Sequence, residues 1–156
     1  MTTIAYKNGV IAYDSQITSG NTITYDDYQK CHEVKGVKFF MSGKTCDYTA
    51  LQDAYFGGVV TREVDASAIV ADGDSLWCVG AGVPEGFWKS PIMLDSIYAI
   101  GSGADHAITA MDMGATAYEA VRMAAKRDTG TGGIIRAVTI NEGMADAKTN
   151  APSVIA

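Results

Sequence analysis

Short runs of β-forming residues, punctuated by tight-turn dipeptides, fill the first part of the chain, and apolar positions at helical spacing appear only where those runs stop. Thr3 to Lys7 and Val10 to Asp14 are joined by Asn8-Gly9, a pair that accepts the positive φ both central residues of a tight hairpin need. Gly20-Asn21 then breaks the pattern. Cys31 to Val34 and Val37 to Met41 predict a second hairpin turning at Lys35-Gly36, and Ser42-Gly43-Lys44-Thr45 leads into a helix over Cys46 to Phe56. Tyr48, Leu51 and Tyr55 give that helix one apolar stripe, and Gly57-Gly58 stops it. A third hairpin, Ala66 to Ala71 with Leu76 to Val79, precedes a loop from Gly80 to Pro91 that holds Phe87 and Trp88. Those two aromatics read as core or subunit contact. A strand over Ser96 to Ile100 ends at Gly101-Ser102-Gly103, and a helix over Ala104 to Met113 breaks at Gly114.

The next helix opens on Thr116 with Glu119, the three-residue spacing of a capping box. Its Ala117, Ala120, Val121, Ala124 and Ala125 share one face, small enough for close packing on a sheet. Arg127 to Gly133 is a loop, Ile134 to Ile140 a last strand, and the tail from Ala145 to Ala156 is expected to fray in part. Hairpins, a helix, more strands, a helix pair and a strand suit an α+β fold. Two antiparallel sheets covered by helices would bury both faces of each sheet, so a four-layer αββα sandwich is expected.

At 156 residues the chain has the length of one domain with a sizeable core. A net charge of −6 argues against nucleic acid or an anionic membrane as the main partner, since both require clustered Lys and Arg. Cys31, Cys46 and Cys78 are odd in number and fit no metal spacing, which favours reduced thiols in a cytoplasmic protein, with neither metal nor cofactor expected. No apolar run reaches the roughly 18 residues of a membrane-spanning helix, and the start lacks the regions of a signal peptide.

The chemistry that stands out is at the start, Met1-Thr2-Thr3-Ile4. Removal of Met1, favoured by the small residue behind it, would leave Thr2 with a free α-amine and a γ-hydroxyl. A threonine hydroxyl is a poor nucleophile until a base takes its proton, and an α-amine with a pKa of about 7.7–8.0 can do so near neutral pH.

Five blocks in order give this start a context: Thr2-Thr3-Ile4; Asp14 within Ala12-Tyr13-Asp14-Ser15-Gln16, followed by Gly20-Asn21-Thr22 and Lys30; Ser42-Gly43 with Asp47; Ala99-Ile100-Gly101-Ser102-Gly103; and Asp128-Thr129-Gly130-Thr131-Gly132-Gly133. Together they resemble the bacterial HslV-type peptidases and proteasome β subunits, both N-terminal nucleophile hydrolases. The resemblance implies Thr2 as nucleophile with its own amine as base. It implies Lys30 as the charge that lowers the amine's pKa, Asp14 as the group holding Lys30, and the Gly43 N–H as oxyanion donor. Ser102, Asp128 and Thr131 would surround the amine with hydrogen bonds. Ile17, Thr18, Tyr28, His32, Met41 and Thr45 match the family's first specificity pocket, a mainly apolar set.

Homo-oligomeric ring assembly, a peptide or unfolded-protein substrate and docking of an unfoldase ATPase belong to the same implication. The segment between Asp47 and Ser102 is markedly shorter than in the family, so one helix is expected to be missing, and Lys44 stands where the family usually has a small residue. Three functions suit these residues: a threonine endopeptidase, a catalytically silent self-assembling or interaction protein of the same fold, and an amidase for small amides.

Overall fold

The computed structural model describes residues 1–140, and the tail expected to fray lies outside them. In chain order the strands and helices begin with β1 (Ile4–Lys7), β2 (Val10–Tyr13), β3 (Ile17–Ser19), β4 (Thr22–Tyr25), β5 (Cys31–Val34), β6 (Val37–Gly43) and α1 (Tyr48–Tyr55). They continue with β7 (Ala66–Asp72), β8 (Ser75–Gly82), β9 (Gly86–Pro91), β10 (Tyr98–Ile100), α2 (Ala104–Asp112), α3 (Ala117–Arg127) and β11 (Arg136–Thr139). The described residues divide into two compact units, one comprising residues 1–29 and 93–140, the other Lys30–Ile92.

The first unit carries a four-stranded antiparallel sheet in the order β10-β1-β2-β11. Its register sets Ala99, Ala5, Ala12 and Ala137 side by side across all four strands. Ala137 at the end of the row is exposed, and the methyl groups of Ala99, Ala5 and Ala12 let α2 and α3 approach the sheet closely. Ala107, Ala110 and Met111 of α2, and Ala117, Ala120 and Val121 of α3, form one buried cluster with Ala5, Ala12 and Ala99. Successive residues of a strand face opposite ways, so Ile4, Tyr6, Ile11 and Tyr13 line the other face, all at most 2% exposed. The expected capping box is formed in full, with the Glu119 N–H donating to Thr116 Oγ1 (3.1 Å) and the Thr116 N–H to Glu119 Oε1 (3.0 Å).

The second unit is a five-stranded antiparallel meander, β5-β6-β7-β8-β9, with α1 packed on β6 to β9. Phe39 of β6 meets Tyr55 of α1 edge to face at 5.2 Å, and Tyr55 meets Phe87 of β9 at 5.9 Å. The first two of the three foreseen hairpins have the positive φ their turns require, 52° and 79° at Asn8-Gly9, 51° and 78° at Lys35-Gly36. Among the described residues no helix is long and apolar enough to cross a membrane.

The structure is α+β, with differences from the pattern that have local causes. Among the described residues there are three sheets rather than two, because β3 and β4 pair as a separate hairpin around Gly20-Asn21. β4 alternates polar and apolar residues, Thr22-Ile23-Thr24-Tyr25, yet all four are exposed, so it buries no face against either of the larger sheets. The segment expected to loop from Gly80 to Pro91 contains the end of β8 and all of β9, and Gly80 of β8 pairs with Trp88 of β9. A Cβ at Gly80 would overlap the indole, so the missing side chain makes room for the ring. The helix expected from Cys46 begins as a 3-10 turn, Thr45–Asp47, and becomes α-helical at Tyr48. β10 starts at Tyr98 rather than Ser96, whose N–H closes a turn onto Met93 O, and β11 starts at Arg136 because the Ile134 N–H is taken by Asp26 O.

Thr116→Ala removes the acceptor that caps α3, and is expected to lower stability by about 1 kcal/mol in urea denaturation. A loss below about 0.3 kcal/mol would mean that packing on the alanine row alone holds the end of α3.

Candidate active site

Three strand ends converge in the first unit because of their registers. Ile4 pairs with Ile100, which sets Thr2 and Thr3 beside Gly101-Ser102-Gly103, and Ile4 also pairs with Tyr13, which sets Thr3 beside Asp14. Arg136 pairs with Tyr13 from the other side, bringing in the loop from Asp128 to Gly133. Gly101 has φ +101°, and any Cβ there would fall on the Thr2 carbonyl, so glycine permits this close approach.

Thr2 is fully buried, and a connected chain of hydrogen bonds leads from it. Its N–H donates to Ser102 Oγ (3.2 Å), Ser102 Oγ donates to Asp128 Oδ2 (2.6 Å), and Thr131 Oγ1 donates to the same oxygen (2.7 Å). Thr3 Oγ1 lies 2.7 Å from Thr131 Oγ1 and completes that end of the chain. The Gly103 N–H donates to Thr2 O at 3.3 Å, so the backbone of Thr2 is held from both sides. With Met1 attached, the Thr2 hydroxyl donates to Met1 O at 2.5 Å.

Burial raises the Asp128 carboxyl, but the hydrogen bonds from Ser102 and Thr131, the Gly130 N–H and the charge of His106 outweigh it and hold the group below its ordinary range. Asp14 is fully buried and accepts from three backbone donors, the N–H groups of Thr3 (3.2 Å), Gln16 (3.3 Å) and Gly132 (3.0 Å).

Thr2, Asp14, Ser102, Asp128 and Thr131 thus come together within the first unit. It also contains Ile17 and Thr18 on β3 and Tyr28 just past β4, all half-buried. Lys30, His32, Met41, Gly43 and Thr45 belong to the second unit. Lys30 is fully buried, and its carbonyl accepts from the Met41 N–H at 2.9 Å. Met41 is itself fully buried on β6, and Thr45 is exposed. His32 on β5 has its Nδ1 2.9 Å from Gln52 Nε2 and its ring edge-on to Tyr48. Gly43 ends β6 with φ +108°.

Two residues of the first-unit network were not singled out by the sequence. Thr3 reads as an ordinary strand residue, yet its hydroxyl joins Thr131. Gln16 donates from Nε2 to Thr129 O (2.9 Å) and supports the loop that carries Asp128. The signal available for Gln16 was its place two residues after Asp14.

No protein-family model and no curated protein matches the chain. Among solved structures it is similar to BPH of Thiobacillus denitrificans, with a TM-score of 0.64 and 17% identity over 90% of this chain and 98% of that one. It is similar also to BPH of Thiobacillus denitrificans in complex with epoxomicin, with a TM-score of 0.63, 18% identity and the same coverage. At this identity the likeness is one of fold.

Asp128 offers a test of the hydrogen-bond chain. A folded-state pKa below the unfolded value of about 3.9 gives stability that is complete above that value and is lost as pH falls through the lower folded one. Asp128→Asn is therefore expected to be less stable than the parent at pH 7, with the gap closing on acidification below about pH 4 in urea titrations. An equal gap at both pH values would place the stabilisation outside the carboxylate.

Proposed function

We propose that the chain is an N-terminal threonine endopeptidase of the proteasome β-subunit and HslV type, with the four-layer αββα architecture of N-terminal nucleophile hydrolases. The observation that carries this reading is the chain of hydrogen bonds from the Thr2 nitrogen through Ser102 to Asp128 and Thr131. An ordinary strand start has no use for a nitrogen held by a serine that is itself held by a carboxylate. The fold likeness supports the reading, because BPH has been captured with epoxomicin, a proteasome inhibitor.

Loss of Met1 turns the Thr2 amide nitrogen into an amine with a basic lone pair and frees the hydroxyl from Met1 O. The amine then accepts the Oγ1 proton while Oγ1 bonds to the peptide carbonyl carbon. As the tetrahedral intermediate collapses, the C–N bond breaks, the proton passes to the leaving amine, and an ester on Thr2 remains. Water, deprotonated by the same amine, hydrolyses that ester and returns the proton to Oγ1. Ser102 orients the amine, and the Asp128 carboxylate holds Ser102 as an acceptor toward it.

On the resemblance alone, Lys30 lowers the amine's pKa and the Gly43 N–H stabilises the oxyanion. The proposal includes a homo-oligomeric ring, for which exposed Ile23, Tyr25, Val59 and Trp88 offer apolar surface.

Intact-mass measurement of active protein is expected to find a chain that begins at Thr2. Thr2→Ala should abolish turnover of a fluorogenic peptide with the fold unchanged, while Thr2→Ser keeps part of it. Cleavage unaffected by Thr2→Ala would overturn the mechanism, and a fully processed parent with no turnover would favour the silent scaffold.

Substrate choice is a separate expectation. Cleavage should follow apolar or aromatic residues, because burying an unpaired charge costs several kcal/mol. Lys44, the charge nearest in sequence to Thr45, has Nζ 3.8 Å from Asp65 Oδ2. Faster cleavage after Glu than after Leu or Tyr, in peptides differing only at that residue, would overturn the apolar preference.

A further inference from the structure

The turn that follows β6 is closed by a ring of three hydrogen bonds within the second unit. The Lys44 N–H donates to Asp65 O at 2.7 Å, the Asp65 N–H donates to Asp47 Oδ2 at 2.8 Å, and the Asp47 N–H donates to Lys44 O at 3.0 Å. Both polar groups of the Asp65 peptide backbone are therefore engaged by one turn, Lys44 on one side and the Asp47 carboxylate on the other. The second Asp47 oxygen accepts from Arg62 Nη1 at 2.8 Å, and the same nitrogen donates to Glu63 O at 2.9 Å. Glu63 in turn accepts the Val83 N–H on Oε1 at 2.9 Å, and Val64 is buried. Arg62 to Asp65 is thus a strap fixed at several points, and Asp47 is the side chain that ties it to the turn.

Gly43 lies against this strap. A Cβ there would stand 2.8 Å from the Ala66 Cα and overlap the Asp65 carbonyl oxygen, and its φ of +108° lies in the region that favours glycine. The direction of the Gly43 peptide is thus set by where residues 65 and 66 sit. Asp47 is buried while Arg62 is largely exposed. The backbone hydrogen bond from Asp65, then that from Arg62, hold the Asp47 carboxyl below its ordinary range.

We infer that Asp47 is a positioning residue that aims the Gly43 N–H by clamping residue 65, an inference that rests on the proposed role of Gly43 as oxyanion donor. An oxyanion donor works only if held toward where charge develops, so a loosened turn should slow the chemical step and leave substrate binding nearly as it was.

The test uses full-length protein with Thr2 exposed. Asp47→Ala is expected to lower kcat for a peptide amide about 10- to 100-fold, with KM changed less than about threefold. Asp47→Asn, which keeps an acceptor for the Asp65 N–H, should recover much of that loss. Arg62→Met, which leaves the Asp65–Asp47 bond in place, should stay within about threefold of the parent.

Hydrogen–deuterium exchange supplies a readout independent of turnover. The amides of Lys44 and Asp65 should exchange faster in Asp47→Ala, while those of Phe39 to Met41 stay protected. Unchanged kcat in Asp47→Ala, beside an active parent and an inactive Thr2→Ala, overturns the role of Asp47 and leaves the proposed function standing. So does a fall in kcat without faster exchange at Lys44 and Asp65. A processed parent that turns over nothing overturns the proposed function, and this role with it.

Discussion

Asp14 is the constraint on which the first unit depends. Its carboxylate is fully buried and accepts from the backbone N–H groups of Thr3, Gln16 and Gly132, which lie 11, 2 and 118 positions from it in sequence. Replacing the carboxylate with an apolar side chain would orphan those donors, and each buried orphan costs about 1–3 kcal/mol. The same three bonds bring the start of β1, the exit of β2 and the loop before β11 to one point. Asp128 belongs to the loop that Gly132 ties to Asp14, and Ser102 meets it from the end of β10, placed by the pairing of Ile4 with Ile100.

Close approach of backbone and helix is the second requirement. Three alanines in register across β10, β1 and β2 allow the alanine faces of α2 and α3 to sit near the sheet, which anchors Asp128 just beyond the end of α3. Glycine meets the same need for loops. At Gly101 a Cβ would fall on the Thr2 carbonyl, and at Gly43 on the backbone of residue 65. In both places the absent side chain lets a loop touch the backbone it has to position. Within each unit the local geometry therefore rests as much on small residues as on polar ones.

Hairpins and helices were legible in the sequence wherever local chemistry decides them. Asn8-Gly9 and Lys35-Gly36 dictate turns through φ, and Thr116 with Glu119 dictates a helix start through reciprocal hydrogen bonds, so these need no distant partner. Thr2, Asp14, Ser102, Asp128 and Thr131 were likewise readable as candidates from their motifs. What escaped was decided at a distance. β9 exists because Gly80 accommodates Trp88 and Phe87 meets Tyr55, and the apolar alternation of its own six residues is too weak to announce it. β4 alternates Thr22-Ile23-Thr24-Tyr25 but buries neither face, and its pairing with β3 is what makes it a strand.

The sequence by itself determined the turn positions, the helix caps, the alanine faces and the residue types able to form a nucleophile with its base, because each is fixed by interactions within a few residues. Only the tertiary structure decided that Asp14 binds three backbone donors, that Ser102 stands between the Thr2 nitrogen and Asp128, and that Asp47 closes a ring through Asp65. Residues two to over one hundred positions apart make those bonds, and their geometry comes from strand register and loop closure, quantities that no local pattern encodes.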